Sequence, residues 1–401
     1  MKRTYTLLLV ILTFLGLWLY LALTYPTASP LKSASYMINH FLNPHLLLKK
    51  ESIGFLPYWQ VSNSKYILLD SLTELNYFGL VVDNDGQFLK VVNNQTDPGW
   101  YTWNSQIIKD LIAQAQIMGC DFSLSIVSQK NSIIRNILDN KDAQARLIAN
   151  IIDQVKSRHL NGINIDFEYS GKADDKYRNE FTNFSKNLVT SLKKQDPNIQ
   201  LSVSIMPLSA REKDIFDFPK LLNFYDKFIG MSYDYYGLTS DIAGPTAPIN
   251  GFLENKYFFD ITTTYQDYLK YIPRNKIIMG IPYYGWDWAV VNGAKIQSKT
   301  LPISNPNNYA AVISYARART DKDLLPTQCQ FDDYALQPWC WYTDKKTGVD
   351  HHVWFENNKS IEIKYDFAKK QNLLGVAIWT LGYDKDYSDL WDIMKNKLGK
   401  N

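Results

Sequence analysis

The sequence predicts an α/β chain folded as a (β/α)8 barrel, and three observations predict it. Eight short apolar runs recur along the chain, amphipathic stretches separate them, and each run is apolar almost throughout. Near-continuous hydrophobicity suits parallel strands covered on both faces, and strands alternating with helices build a parallel sheet. A length of 401 residues permits two domains or one large barrel.

The runs are SIGFLPYW (52–59), YFGLVVD (77–83), DFSLSIV (121–127), GINIDFE (162–168), QLSVSIMP (200–207), KFIGMSYDYYG (227–237), KIIMGIPYYG (276–285) and LLGVAIWTLG (373–382). Helical patterns lie between and after them: NSQIIKDLIAQAQIMG, DAQARLIANIIDQVKSRH, DDKYRNEFTNFSKNLVTSLKKQ, SIEIKYDFAKKQN and DLWDIMKNKLG. One segment breaks the rhythm, from near Ala289 to Val353, between the seventh strand and its helix. It is rich in aromatic and turn residues, as expected of a small α+β insertion, and a loop that long usually carries structure or function.

Lys2 and Arg3 precede an uncharged stretch from Leu7 to Tyr25. At about 1.5 Å per residue, such a helix nearly spans a ~30 Å hydrocarbon core. Residues 1–25 are therefore expected to be a signal anchor, 26–50 a linker, and 51–398 an exported, extracytoplasmic catalytic domain. A cleaved signal peptide and a secreted chain are the alternative, with Ala28 and Ser29 a weak cleavage site. Charge is nearly balanced, at +3, which gives no sign of a nucleic-acid partner. Of the three cysteines, Cys120 lies beside a predicted buried strand, and Cys329 and Cys340 share one loop-rich region where they can pair if the compartment is oxidising. His351 and His352 are adjacent and lack the convergent spacing of a metal site, so no metal and no cofactor is expected.

Barrel enzymes carry their sites at the C-terminal ends of the strands. In NGINIDFEYS (161–170), Asn164, Asp166 and Glu168 alternate with Ile163, Ile165 and Phe167, so the three polar groups share one face. Two carboxylates that close cannot ionise independently, which raises the pKa of at least one and makes it a candidate general acid. Tyr233 and Asp234 close the sixth run and Trp379 lies in the eighth, so the fold brings all of them to one mouth. Carboxylates beside aromatic planes suit glycoside hydrolysis.

LNGINIDFEY resembles the strand-four signature of the family-18 glycoside hydrolases, the chitinase clan, usually written DGxDxDxE. MSYDYYG resembles that family's Met-x-Tyr-Asp motif, GVAIWTLGYD its strand-eight tryptophan, and GFLPYW and MGIPYYGWDW its first and seventh strands. The resemblance runs from about Glu51 to the C-terminus and implies a retaining, substrate-assisted reaction, an exception to the two-carboxylate scheme. By resemblance, Glu168 is the general acid and base, Asp166 orients the substrate's acetamido group, Tyr233 hydrogen-bonds to it, Asp234 lines the pocket and Trp379 forms its floor. Met231, Phe55, Tyr284, Trp59 and Trp286 are candidate substrate-binding residues. The expected partner is a glycan containing N-acetylglucosamine, cleaved by a monomer. Asn161 and Asn164 depart from the pattern. An amide at 164 can hydrogen-bond to Asp166 but cannot take its proton, and removal of a like charge there lowers the pKa of Asp166. The Asn-x-Asp-x-Glu form resembles chitobiases and bacterial spore-cortex N-acetylglucosaminidases, and GIPYYGWDW and HHVWFENNKS are most similar to the latter. Peptidoglycan is therefore favoured over chitin, with an N-glycan core as a further substrate and a non-hydrolytic glycan-binding protein as the alternative function.

Overall fold

The computed structural model describes residues 50–302, 308 and 310–399. The expected anchor (1–25) and all of the linker except Lys50 lie outside the described residues. Among the described residues, no helix is long and apolar enough to cross a membrane.

The first seven barrel strands are β1 (Glu51–Pro57), β2 (Glu74–Val81), β3 (Asp121–Ser128), β4 (Gly162–Phe167), β5 (Gln200–Ile205), β6 (Lys227–Gly230) and β7 (Ile277–Pro282). An insertion then contributes β8 (Tyr284–Val290), β9 (Ala311–Ser314), β10 (Cys329–Asp332), β11 (Gln337–Thr343) and β12 (Asp350–Trp354). The last strand, β13 (Gly375–Trp379), pairs in parallel with both β7 and β1 and closes the barrel. Closure leaves no free sheet edge.

The longer helices are α1 (Gln106–Met118), α2 (Lys141–Arg158), α3 (Asp175–Gln195), α4 (Ile261–Tyr268), α5 (Asn358–Lys370) and α6 (Asp389–Leu398). Their ends follow local chemistry. Gly119 terminates α1 in the left-handed conformation, at φ 70°, and the Asn140 side chain accepts from the first amides of α2. Helices cover the outside of the sheet, so outward residues of β4 are apolar: Phe167 stacks on Phe184 of α3 with ring centroids 6.0 Å apart.

Alternation sends Asn164 and Asp166 to the interior, where they meet serines that alternate the same way on β3 and β5. At the opposite end of the barrel, Lys227 Nζ lies 3.0 Å from Glu74 and 3.2 Å from Glu51. Ser123, Asn76 and Ser125 continue hydrogen-bonding from Glu74 towards Asn164. Buried polar groups need partners, and this column supplies them from strand to strand.

Two predicted strands are shorter than expected. The sixth stops at Gly230, after which close turns at Ser232 and Tyr233 carry the chain out of the sheet. Asp234 therefore lies beyond the strand, in the left-handed region at φ 56°, which aspartate tolerates better than bulkier residues. The seventh stops at Pro282. Tyr284 already belongs to an antiparallel sheet with strand order β9-β8-β12-β11-β10, so the insertion begins before Ala289. Within that sheet Cys329 and Cys340 lie opposite each other and form a disulfide. Cys120 is a buried free thiol.

The insertion is fastened to the barrel by a buried polar cluster. Glu356 receives Lys364 Nζ of α5 at 2.8 Å and Gln337 Nε2 of β11 at 2.9 Å, while Gln337 Oε1 accepts the amide of Ala247. Glu356 and Lys364 are excluded from solvent, so loss of one partner leaves an uncompensated charge. Lys364→Met is expected to destabilise the protein by about 3–5 kcal/mol, measured by chemical denaturation. The double change Glu356→Gln/Lys364→Met is expected to lose less.

Candidate active site

At the C-terminal mouth of the barrel lies a pocket of about 350 Å³, lined by Phe55, Trp59, Asp166, Glu168, Met231, Tyr233, Asp234 and Trp379 among others. Residues from β1, β4, β13 and the segment after β6 thus meet in one place. Trp379 packs against Tyr233 with nearly parallel rings, 6.5 Å between centroids, and meets the edge of Phe78 at 4.6 Å. Trp59 stands at the rim, 43% exposed, with its ring edge-on to Trp379. Gly280 on β7 leaves room for this packing, because a Cβ there would fall 2.9 Å from the Tyr233 ring.

Asp166 and Glu168 enter the pocket from one strand, as their spacing predicts. Asp166 is buried, and burial followed by the nearby charge of Glu168 pushes its pKa well above the usual carboxylate range. Glu168, at the strand end, is half-buried. Burial raises its pKa, an amide hydrogen bond from Gln129 Nε2 at 2.9 Å opposes the rise, and the charge of Asp234 adds to it. Protons are thus retained between the two carboxylates to higher pH than in water. Burial, and then Asp166, Asp234 and Glu168, hold the phenol of Tyr233 protonated, which keeps it a donor.

Asp234 is accessible from the pocket and enclosed elsewhere by protein. Enclosure pushes its pKa up, while Trp286 Nε1 and Tyr284 OH, each donating to Oδ1 at 2.7 Å, favour its charged form. Tyr284 and Trp286, expected against substrate, do not line the pocket. They are buried on β8 because the chain turns into the insertion at Tyr284, and they act on Asp234 instead. Asn164 is also displaced from its expected place, being fully buried beneath the pocket rather than in its wall. Its amide bonds to Ser125, Ser202 and Ser204, and none of these bonds reaches Asp166. Burial and Glu168 outweigh the downward effect expected from an uncharged residue at 164.

Sequence reasoning missed Gln129, Phe78 and Ser204, which also line the pocket. Ser204 carried a usable signal, since Ser202 and Ser204 share the two-residue period that marks Asn164 and Asp166. Gln129 carried none apart from its position just past the end of β3, and Phe78, inside β2, carried none. Among the described residues, no group of three or more histidine, cysteine, aspartate or glutamate side chains is placed to hold a metal ion. His351 bonds to Asp287, and His352 bonds to the carbonyl of Gly293.

A closed parallel barrel with clustered carboxylates at its C-terminal mouth, against an indole and a phenol, has the form of a (β/α)8 glycosidase. The chain belongs to the glycosyl hydrolases family 18, whose model matches residues 51–384, and it is a glycosidase. It is 28% identical over 271 residues to the "Uncharacterized glycosylase YvbX" of Bacillus subtilis, a match covering 66% of this chain and 70% of that one. With the cortical fragment-lytic enzyme of B. subtilis it shares 26% identity, over 62% of this chain but only 52% of the relative. With the mouse (Mus musculus) di-N-acetylchitobiase it shares 25%, over 68% of this chain and 77% of the relative. Two solved structures share the fold. The spore cortex-lytic enzyme SleL of Bacillus megaterium has a TM-score of 0.64 at 24% identity, covering 88% of this chain and 74% of that one. A chitinase of Cycas revoluta, in complex with allosamidin, has a TM-score of 0.71 at 17% identity, covering 87% of this chain and all of that one.

Gln129→Leu removes the donor to Glu168 Oε1. The titration midpoint of Glu168 is then expected to rise, because the lost bond favoured the charged form. Carboxyl carbon-13 NMR of glutamate-labelled protein measures it, and an unmoved midpoint refutes the assignment.

Proposed function

We propose that this glycosidase cleaves β-1,4 bonds after N-acetylglucosamine, with retention of configuration, in peptidoglycan or a related glycan. The observation that carries the reading is the placement of Glu168 in the pocket wall, with Asp166 on the same strand and Trp379 and Tyr233 around them. Glu168 gives its proton to the glycosidic oxygen as the bond to the anomeric carbon breaks. The substrate's own acetamido oxygen closes on that carbon, forming an oxazolinium ion. Asp166 accepts the acetamido N–H and offsets the developing positive charge, and Tyr233 donates to the acetamido oxygen. Glu168, now ionised, takes a proton from water as that water opens the ring. The chemistry uses carboxylates and the substrate's amide, and no cofactor enters it.

The pocket's lining favours a neutral sugar. Among the described residues it includes Asp166, Glu168 and Asp234 and no lysine or arginine. A muramyl lactyl carboxylate seated there would meet like charge without a cation to pair with, so the acidic sugar belongs on the leaving side. The names of the cortical fragment-lytic and spore cortex-lytic relatives support a cell-wall glycan, and the di-N-acetylchitobiase supports an N-acetylglucosamine unit at the cleaved bond. We further propose that the chain acts outside the cytoplasmic membrane as a monomer, tethered by the uncharged stretch behind Lys2 and Arg3.

Glu168→Gln is expected to lower kcat by roughly 10²–10⁴-fold while leaving glycan affinity, read by tryptophan fluorescence, nearly unchanged. An unaltered rate refutes the role of Glu168. Mass spectrometry of a peptidoglycan digest is expected to show N-acetylglucosamine at the new reducing ends. N-acetylmuramic acid at those ends would overturn the substrate assignment. In fractionated cells the intact chain is expected with the membrane, and recovery of a shortened soluble form would show that the leader is cleaved.

A further inference from the structure

Asn164 takes the place at which the family motif carries a carboxylate, yet its amide is engaged by serines rather than by Asp166. Asp166 Oδ1 is buried without a hydrogen-bond partner. Ile165 pairs with Val203, so Ser204 is the β5 neighbour of Asp166 on the same interior face, and its hydroxyl favours the charged form of that carboxylate. The same hydroxyl lies 3.2 Å from Asn164 Oδ1. Ser204 is itself buried and lines the pocket.

A hydroxyl has one proton and two lone pairs. Ser204 can donate to Asn164 Oδ1 or to Asp166, but not to both at once. If it turns to Asp166, Asn164 Oδ1 has Ser125 Oγ at 3.1 Å, whose single proton is shared with Asn76 Oδ1 at 2.6 Å, so one of these two amide oxygens gives up its donor. If Asp166 is protonated, it can donate to the oxygen of Ser204, whose own proton then returns to Asn164. The hydroxyl therefore follows the charge on Asp166 by rotation alone. A glycine or alanine on β5 would offer neither arrangement.

We propose that Ser204 is a positioning residue that replaces the missing carboxylate at 164, holding Asp166 in its ionised, acetamido-accepting state by turning its hydroxyl between Asn164 and Asp166. The inference rests on the reaction proposed above, in which Asp166 must accept the acetamido N–H. A donor to a carboxylate favours its charged form, so the loss of Ser204 makes Asp166 easier to protonate. The acidic limb of the rate profile, where ionised Asp166 is lost, then moves to higher pH. A hydrogen bond to a charged group has an effect worth about tenfold or more in rate if it is lost at the transition state.

The test has two arms. In the first, carboxyl infrared difference spectra of carbon-13 aspartate-labelled protein, with Asp166→Asn as the assignment blank, follow the titration of Asp166 without any turnover. Ser204→Ala is expected to raise the midpoint, and Ser202→Ala, which removes a hydroxyl bonded to Asn164, to leave it in place. An unmoved midpoint in Ser204→Ala, or an equal move in both variants, overturns the inference. If Ser204→Ala does not fold, Ser204→Cys keeps the size, offers only a weak donor and takes the same measurement. In the second arm, hydrolysis of a chromogenic N,N′-diacetylchitobioside is followed against pH. Ser204→Ala is expected to lose about tenfold in kcat with little change in KM, and Asn164→Asp in that background to recover part of the loss. Wild-type turnover with an unshifted profile in Ser204→Ala overturns the inference and spares the proposed function. Failure of wild type to cleave this glycoside or peptidoglycan overturns the function and leaves the first arm to decide the role of Ser204.

Discussion

The structure depends on holding two carboxylates of one strand in the mouth of a closed barrel. Taking ionised groups out of water costs several kcal/mol each unless charge or hydrogen bonds offset it. Asp166 and Glu168 meet that cost in different ways. Glu168 sits at the strand end, half-buried, with the amide of Gln129 on one oxygen. Asp166 lies deeper, where the neighbouring hydroxyl of Ser204 favours its charged form and one oxygen stays bare. The raised pKa of each follows from burial first, and the pair therefore keeps its protons to higher pH than the same groups in water.

The interior below them continues the same solution. A barrel packed only with aliphatic side chains would give Asp166 no polar neighbour from beneath. Here Ser123, Ser125, Ser202 and Ser204 point inward on β3 and β5, and Asn76 and Asn164 join them. The column ends at Lys227, which burial disfavours as a cation and which Glu74 and Glu51 more than stabilise. Apolar residues fill the other side of the interior, among them Ile53, Ile229 and Ile278. This division keeps polar partners on the side of β3, β4 and β5, facing the carboxylates.

Much of this was legible in the sequence, and the reasons are local. Strand alternation over residues 161–170 put Asn164, Asp166 and Glu168 on one face, and apolar runs marked the strands. What stayed hidden was where a run leaves the sheet. MSYDYYG and YYGWDW are rich in aromatic residues and follow the apolar strands without a break, so the pattern carried the sixth and seventh strands too far. Turns after Gly230 and Pro282 decided the matter, the first through local bonds at Ser232 and Tyr233 and the second through bonds that join Tyr283 to Trp379 and Tyr315. Asn164 was read as a neighbour able to bond Asp166, and its amide is used instead by serines on two other strands. Such choices depend on which groups meet across a barrel, and no spacing within one strand reports them.

The displacement of Tyr284 and Trp286 also changes what the insertion does. Expected to stack against sugar, these residues begin the insertion's first strand, β8, and direct both of their donors to one oxygen of Asp234. Those donors favour the charged form of Asp234, and that charge in turn raises the pKa of Glu168. The insertion is tied to the barrel a second time by Glu356 and Lys364. A segment whose length alone suggests structure or function thus acts on Glu168 through the charge of Asp234. Its aromatic residues act on the reaction through a carboxylate they hold in place, even though they do not line the pocket.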